Sequence, residues 1–392
     1  FTCLCHNVFI FYFIIRSKNC ATTSEMSSKL VTVNEFETKA YEILPQNARD
    51  YYKSGAGDEH TLSLNKDVFK RIRIRPRFLV PVSNRDMSVD MFGDRIKIPF
   101  GISPTAMQKM AHADGECANA RAAGEYGTIF TLSTLSTFSM EEVAKAAPNT
   151  IKWFQLYVYY DRDLTVALVR RAEACGFKAL VLTVDAPVFG LRRADMRNKF
   201  RLPPHLRLGN FEGQKSTDIT IERDSSGLTD YVTKQFDGTL TWDDVKWLIS
   251  ITKLPVLVKG LLTAEDAIKA VEIGVHGVIV SNHGARQLDG VPASIEALPE
   301  IARAVGHKTT VIMDGGIRQG EDIFKALALG AKMVFFGRPA LWGLALDGQA
   351  GVEKVLGIMK NELDVAMAIA GCRTVGDINK SCVVHESYYS KL

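Results

Sequence analysis

Apolar residues in the middle of the chain come in short unbroken runs, not in alternation. Three segments share one layout of helical stretch, glycine and apolar run: Cys175-Gly176-Phe177 leading to Val181-Leu182-Thr183, Ile273-Gly274-Val275 leading to Ile279-Val280-Ser281, and Leu329-Gly330-Ala331 leading to Phe335-Phe336-Gly337. Glycine suits a left-handed residue just past a helix end, and an apolar run without alternation suits a strand buried on both faces of a parallel sheet. The layout predicts strand C-terminal ends at Thr183, Ser281 and Gly337. Five further runs fit the scheme and make eight: Phe100-Gly101-Ile102, Thr128 to Leu132, Ile151 to Leu156, Val256-Leu257-Val258 and Val311-Ile312-Met313. Helix starts stand between them, such as a capping box at Ser139-Met140-Glu141-Glu142 and Pro292 or Pro339 at a first helical position. Eight strands alternating with helices over about 250 residues predict an α/β fold of the (β/α)8 TIM-barrel class. A flavodoxin-like sheet with a second domain is the alternative, although no Gly-x-Gly-x-x-Gly follows any of these strands.

The barrel is expected over residues 100–373. Residues 26–99 form an N-terminal helical cap, with a helix capped by Thr32 and Glu35 or by Asn34 and Glu37, and with Asp50 to Gly57 covering one barrel end. From Arg192 to Trp242 a stretch rich in Gly, Ser, Asp and Lys reads as a long loop after strand four, which in a compact domain is an active-site lid or a disordered excursion. Residues 1–25 precede the first methionine, Met26, and are expected to be a leader or upstream sequence; their apolar run, Val8 to Ile15, is far short of the ~20 residues of a membrane span. Residues 374–392 are a tail whose Ser390-Lys391-Leu392 matches the address read by the peroxisomal import receptor, so the peroxisome is the expected location.

Composition narrows the partners. With 48 Lys and Arg against 44 Asp and Glu the surplus is +4, too small for a nucleic-acid or anionic-membrane surface. The 7 cysteines are odd in number and contain no Cys-x-x-Cys, so neither a disulfide framework nor a metal site is expected.

Barrel enzymes place their chemistry after the strands, so residues at those ends form one list. It reads Pro104-Thr105-Ala106, Ser133, Gln155 and Tyr157, Thr183 and Asp185 followed by Arg192, Lys259, Ser281 to Arg286, Asp314-Gly315-Gly316-Ile317-Arg318, and Gly337-Arg338. Glycines paired with arginines after strands seven and eight point to a phosphate held by backbone N–H groups. In Ser281-Asn282-His283-Gly284-Ala285-Arg286 a base and a carboxylate clamp share one turn.

From about Val33 to Arg373 the chain resembles the FMN-dependent 2-hydroxy-acid oxidases, especially the peroxisomal glycolate oxidase branch. The resemblance rests on Pro104-Thr105-Ala106-Met107-Gln108-Lys109-Met110, Ser281 through Gly290, and Lys325-Ala326-Leu327-Ala328-Leu329-Gly330. It implies that main chain at Pro104, Thr105 and Ala106, with Ser133, Gln155 and Thr183, holds the isoalloxazine of FMN. Lys259 would stabilise negative charge on the reduced ring, while Ser281, Asp314, Gly315, Gly316, Ile317, Arg318, Gly337 and Arg338 would bind the ribityl chain and phosphate. Arg192 and Arg286 would clamp the substrate carboxylate, helped by Tyr51; Tyr157 would contact the hydroxyl oxygen; His283 would be the general base, oriented by Asp185. The implied reaction oxidises an (S)-2-hydroxy acid to a 2-oxo acid and reduces O2 to hydrogen peroxide, with a dehydrogenase using another acceptor or a flavin-binding protein without turnover as rivals. A homo-oligomer, a tetramer in the family, is also implied.

Two departures stand out. Leu135 occupies the position where the glycolate oxidases carry Trp, which predicts a roomier pocket for longer 2-hydroxy acids. Leu191 replaces a basic neighbour of Arg192, with Val188 and Phe189 also unlike the family, and Arg193 is the alternative clamp. Membrane-associated relatives insert the strand-four excursion into lipid; here Lys199, Arg201, Asp218, Glu222, Arg223 and Asp224 interrupt it.

Overall fold

Eight parallel strands close into a barrel in chain order: β1 (Phe100–Ile102), β2 (Ile129–Leu132), β3 (Ile151–Leu156), β4 (Ala179–Thr183), β5 (Val256–Leu261), β6 (Gly277–Val280), β7 (Thr310–Asp314) and β8 (Met333–Phe336), with β8 pairing back onto β1. The structure is a computed structural model that describes residues 27–211 and 234–391. The expected leader, the charges Asp218 to Asp224 and Leu392 lie outside the described residues.

All eight expected strands are present, and Gly176, Gly274 and Gly330 have the left-handed backbone that ends each preceding helix. The fifth run extends past Val258 to Leu261, with an irregular register between Lys259 and Leu261. Gly260 sits in that irregularity because a Cβ there would come within 2.6 Å of the Asp185 Cβ.

Two apolar layers hold the barrel. Ile129, Trp153, Val181, Leu257, Ile279, Ile312 and Phe335 fill its interior, and Val89, Met91 and Ile96 of the antiparallel ribbon Val89–Met91 with Asp94–Ile96 complete that cluster. The second layer lies between the strands and the outer helices. Ahead of the barrel come helices α1 (Val33–Ile43), α2 (Gln46–Lys53) and α3 (His60–Arg71). α1 packs on the long C-terminal helical segment Arg338–Ala370, which is broken at Asp347 and Gly348. Val383–His385 pairs antiparallel with Ile72–Ile74 and ties the tail to the cap segment.

Local signals met mixed outcomes. Thr32, not Asn34, caps α1, because the Glu35 carboxylate reaches back to the N–H groups of both Val31 and Thr32, at 2.9 and 2.8 Å. The Ser139 capping box forms. Pro339 is the second residue of its helix, and Pro292 lies ahead of the N-cap Ala293, where its carbonyl accepts from the Asn282 side chain at 3.1 Å.

In its described residues the strand-four excursion is more regular than its lack of periodicity suggested. It contains the helix Arg193–Arg197 and a 3-10 turn at Gly209–Phe211. Asn210 anchors it, donating to the Thr134 carbonyl at 2.9 Å and accepting from the Met140 N–H at 2.9 Å. Among the described residues no helix is long and apolar enough to cross a membrane, and no cluster of His, Cys, Asp and Glu could hold a metal ion.

Candidate active site

Strand ends β2, β3 and β4 are tied across the barrel by side chains. Gln155 donates to the Thr183 hydroxyl at 3.1 Å and accepts from the Thr134 N–H at 3.1 Å and the Ser133 hydroxyl at 3.3 Å. On the other side Lys259 donates to the Ser281 hydroxyl at 2.9 Å and lies 3.5 Å from Asp314, which also accepts from Ser103 at 3.1 Å. Every one of these groups is buried, so the network is rigid and its cation is fixed in place.

The turn after β6 is unusual in its backbone. His283, Gly284 and Ala285 are all left-handed, at φ 59°, 63° and 61°. Such a conformation costs a non-glycine residue about 1–3 kcal/mol and persists only where its surroundings enforce it. Here the Ser281 hydroxyl accepts from the His283 N–H at 3.0 Å, Asn282 accepts from the Ala285 N–H at 3.1 Å, and Arg338 donates to the Gly284 carbonyl at 2.9 Å. The result aims the imidazole at Asp185, whose carboxylate meets Nδ1 at 2.8 Å and leaves Nε2 as the ring's second nitrogen.

Four arginines line the same cavity as His283. Arg192 is 5% exposed, donates to the Arg286 carbonyl and the Gln287 side chain at 3.1 Å each, and stacks on Phe189. Arg286 donates to the carbonyls of Tyr51 and Ser54, leaving Nη2 buried without a hydrogen-bond partner. Arg338 donates to the carbonyls of Tyr52, Ser54 and Gly284. Arg318 lies against Trp342, with its Nε 3.8 Å from the Glu37 carboxylate. Arg193, the alternative clamp, instead points outward to an ion pair with Asp58.

These groups gather at one cavity, about 1000 Å³ with the open solvent at its mouth included. From the expected list, Tyr51, Pro104, Thr105, Ala106, Ser133, Gln155, Tyr157, Thr183, Arg192, Lys259, His283 and Arg286 line it, as do Asp314 to Arg318, Gly337 and Arg338. Asp185 and Ser281 do not reach its wall; they hold His283 and Lys259 from behind. Leu135 is buried and forms part of the wall. Ser103, Tyr52 and Leu341 also line it and were missed. Ser103 follows β1 directly and was open to the strand-end rule, whereas Leu341 is an apolar helix residue with no sequence signal.

The electrostatics are cationic. Five positive groups face Asp314 inside, with Asp185 just behind, so the cavity suits anionic occupants. Burial pushes Arg192 down to about 10 and Arg338 to about 9, each also depressed by Arg286. Burial also holds His283 below its ordinary value, with Lys259 adding to the shift and Asp185 opposing it. For Asp185 burial acts upward, but His283 and Lys259 outweigh it and keep the carboxyl below the usual range. Burial raises the Tyr157 phenol, and its ring stacks on Phe236 at 4.4 Å.

One end of the cavity suits a phosphate-bearing group. Gly315 and Gly316 have φ of 100° and 86°, and a Cβ on Gly316 would fall 2.1 Å from the Asn65 carbonyl oxygen. The buried Asp314 Oδ1 has no hydrogen-bond partner among the described residues and offers an acceptor there, while the Arg318 guanidinium, its Nε 3.8 Å from the Glu37 carboxylate, adds positive charge. A polyol phosphate such as the side chain of FMN supplies the complement of both.

Residues 40–385 match the model of the FMN-dependent dehydrogenase family. Glycolate oxidase of Spinacia oleracea is 53% identical over 353 residues, covering 90% of this chain and 95% of that protein. 2-Hydroxyacid oxidase 1 of Homo sapiens is 49% identical over 360 residues, covering 91% and 97%. Among solved structures, mandelate oxidase with (S)-4-hydroxymandelic acid superposes with a TM-score of 0.85 at 41% identity, covering 88% of this chain and 97% of that one. The cation-lined cavity, the carboxylate-held imidazole and these likenesses over most of its length agree, and the chain belongs to the FMN-dependent dehydrogenase family.

Proposed function

We infer that this protein oxidises (S)-2-hydroxy acids to 2-oxo acids with FMN and passes the electrons to O2, forming hydrogen peroxide. The observation that carries the reading is an imidazole, oriented by Asp185 and held below its ordinary value by burial, in one cavity with Arg192 and Arg286. The names of the curated relatives, both oxidases, support O2 as acceptor.

Arg192 and Arg286 receive the substrate carboxylate; the unpartnered Nη2 of Arg286 is the donor waiting for it. This places the 2-hydroxyl within reach of His283 Nε2 and the Tyr157 phenol. His283 accepts a proton from the substrate, and the Asp185 charge stabilises the imidazolium that forms. FMN, when bound, supplies the two-electron acceptor. Lys259 offers fixed positive charge where the reduced ring gathers negative charge, and Pro104 to Ala106, Ser133, Gln155 and Thr183 present the polar edge that would hold the ring. Gly315 to Arg318, Gly337 and Arg338 would hold its phosphate.

The test is direct. Heat should release FMN, identified by mass; under nitrogen a 2-hydroxy acid should bleach the flavin, and air should restore it with one peroxide per turnover. Bleaching without peroxide would assign another electron acceptor, and release of FAD or no flavin would overturn the cofactor assignment. Peroxisomal import through Ser390-Lys391-Leu392 and a homo-oligomeric assembly belong to the same proposal, tested by fluorescence of a tagged chain with and without the tripeptide and by sedimentation.

Two variants probe the substrate side. Arg286→Lys should raise KM and slow flavin reduction, because an ammonium cannot reproduce two parallel hydrogen bonds; unchanged kinetics would remove Arg286 from the clamp. Leu135→Trp should fill the wall position and lower kcat/KM for 2-hydroxyoctanoate about tenfold relative to glycolate, since two buried methylenes contribute about 1.4 kcal/mol or slightly more. A parent enzyme that favours glycolate over 2-hydroxybutyrate and 2-hydroxyoctanoate would show that Leu135 does not set chain length.

A further inference from the structure

Two buried asparagines stand behind the cavity and line none of it. Asn65, in the middle of α3, donates to the Asn282 side chain at 3.0 Å and accepts from it at 2.7 Å, so the two amides face each other as a closed pair. The rest of the Asn282 amide is committed as well: its oxygen accepts from the Ala285 N–H at 3.1 Å and its nitrogen donates to the Pro292 carbonyl at 3.1 Å. Pro292 has no N–H to offer and the Ala285 N–H can only donate, so these bonds fix which way the Asn282 amide points, and with it the Asn65 amide. The pair also lies against the glycine turn after β7. A Cβ on Gly315 would come within 3.3 Å of the Asn282 Oδ1, and the Asn65 carbonyl is the group that excludes one from Gly316. Asn65 and Asn282 therefore pack between the left-handed turn that carries His283 and the turn proposed to hold the flavin phosphate.

We infer that Asn65 is a positioning residue of the proposed reaction: from the cap segment it holds the His283 turn in its left-handed form and at a fixed spacing from the glycine turn. The inference rests on the reading of His283 as the base. His283, Gly284 and Ala285 keep a strained backbone only while their surroundings enforce it, and the bond from Ala285 to Asn282 is one of the enforcing contacts. Without Asn65 the Asn282 amide would have a buried donor and acceptor to satisfy, and would turn away from Ala285 to do so. Alanine at position 65 offers neither group, and aspartate sets a carboxylate oxygen against the Asn282 Oδ1. The docking of α3 does not depend on the pair. Asp289 accepts from the N–H groups of Asp58, His60 and Thr61 at 2.9, 3.3 and 2.8 Å, and the Thr61 hydroxyl accepts from the Gly290 N–H at 2.9 Å, so the helix stays in place when the amides are parted.

The test uses the FMN-loaded protein and Asn65→Ala, alone and combined with His283→Gln. Flavin reduction by a 2-hydroxy acid should slow about tenfold or more in Asn65→Ala, since a small misplacement of a reacting group can cost about 10²-fold. KM should stay within about twofold, because the Arg286 guanidinium is held separately by the Tyr51 and Ser54 carbonyls. In the His283→Gln background the same change should cost less than about twofold more, because a residue that acts through the imidazole has nothing left to lose there. An equal loss in both backgrounds, or an unchanged rate in the first, would overturn the inference. FMN affinity of the apoprotein, read from flavin fluorescence, should be retained, since the Asn65 carbonyl against Gly316 survives the substitution; its loss would overturn the inference by placing Asn65 in the cofactor site. If Asn65→Ala does not fold, Asn65→Asp, which keeps the size and one of the two bonds, goes through the same cycle with the same expectations. If no 2-hydroxy acid reduces the flavin of the parent, the proposed reaction fails instead, and the ring resonances of His283, assigned by their loss in His283→Gln, still decide: they should move in Asn65→Ala, and unmoved resonances would overturn the positioning role.

Discussion

Replacing His283 with glutamine should leave a folded, yellow protein whose flavin is reduced by substrate about 10²–10⁴-fold more slowly, the usual cost of losing a general base. Glutamine is close to histidine in reach and is neutral, so the cavity keeps its shape and its cations while losing the group that accepts the proton. The pH dependence carries a second signature. Burial first, then Lys259 and Arg192, depress the imidazole while Asp185 opposes them, so it sheds its proton below the ordinary value of 6.5. kcat/KM should therefore rise with pH along an acid limb centred below that value and level off near neutrality, and His283→Gln should lose the limb. Anaerobic stopped-flow reduction measures both effects. A rate within about threefold of the parent, small against the general-base range, would remove His283 from the chemistry.

Asp185→Asn should approach the same loss, about 10²–10⁴-fold in flavin reduction, by disturbing the base and not removing it. The carboxylate accepts from Nδ1 at 2.8 Å, which keeps the proton on that nitrogen and leaves Nε2 as acceptor. An asparagine amide can present an N–H to Nδ1 instead, moving the proton to Nε2, where it blocks the transfer. The same substitution removes the charge that stabilises the imidazolium. Because Asp185 is the group that raises the His283 value against burial, its loss should move the acid limb to still lower pH even as the rate falls. A purely structural role would reduce flavin content and leave the limb of the remaining active fraction in place. Flavin absorbance, reduction rate and pH profile together separate the two, and an unshifted limb would sink the assignment.

Glycine is what lets Asp185 stand there at all. Gly260, in the irregular part of β5, leaves no Cβ against the aspartate, so a substitution there would displace the carboxylate that holds the His283 imidazole. Nothing in the run Val256-Leu257-Val258 announces this dependence. The same limit applies to Asn210, whose side chain pins the excursion after β4 onto β2 through polar contacts that have no period in the sequence.

Periodicity and residue type carried the architecture. Apolar runs without alternation, three of them preceded by a glycine at a helix end, determined eight parallel strands and their order, because a strand buried on both faces must be apolar throughout and neighbouring strands in a barrel follow chain order. The same rule placed polar residues at the C-terminal strand ends, which is where the cavity lies. Tertiary structure alone decided which of those residues act together. Asp185 and His283 are 98 positions apart and meet only because β4 and β6 converge at one end of the closed barrel. Arg192 and Arg193 are adjacent and equally basic, yet one enters the cavity and the other pairs with Asp58 on the surface, since successive side chains point in different directions and only the packed backbone sets which way each faces. Local forces act through neighbours in the chain, whereas a site is assembled by contacts between elements, so the sequence determines which chemical groups reach the barrel end and the fold determines which of them share a hydrogen bond.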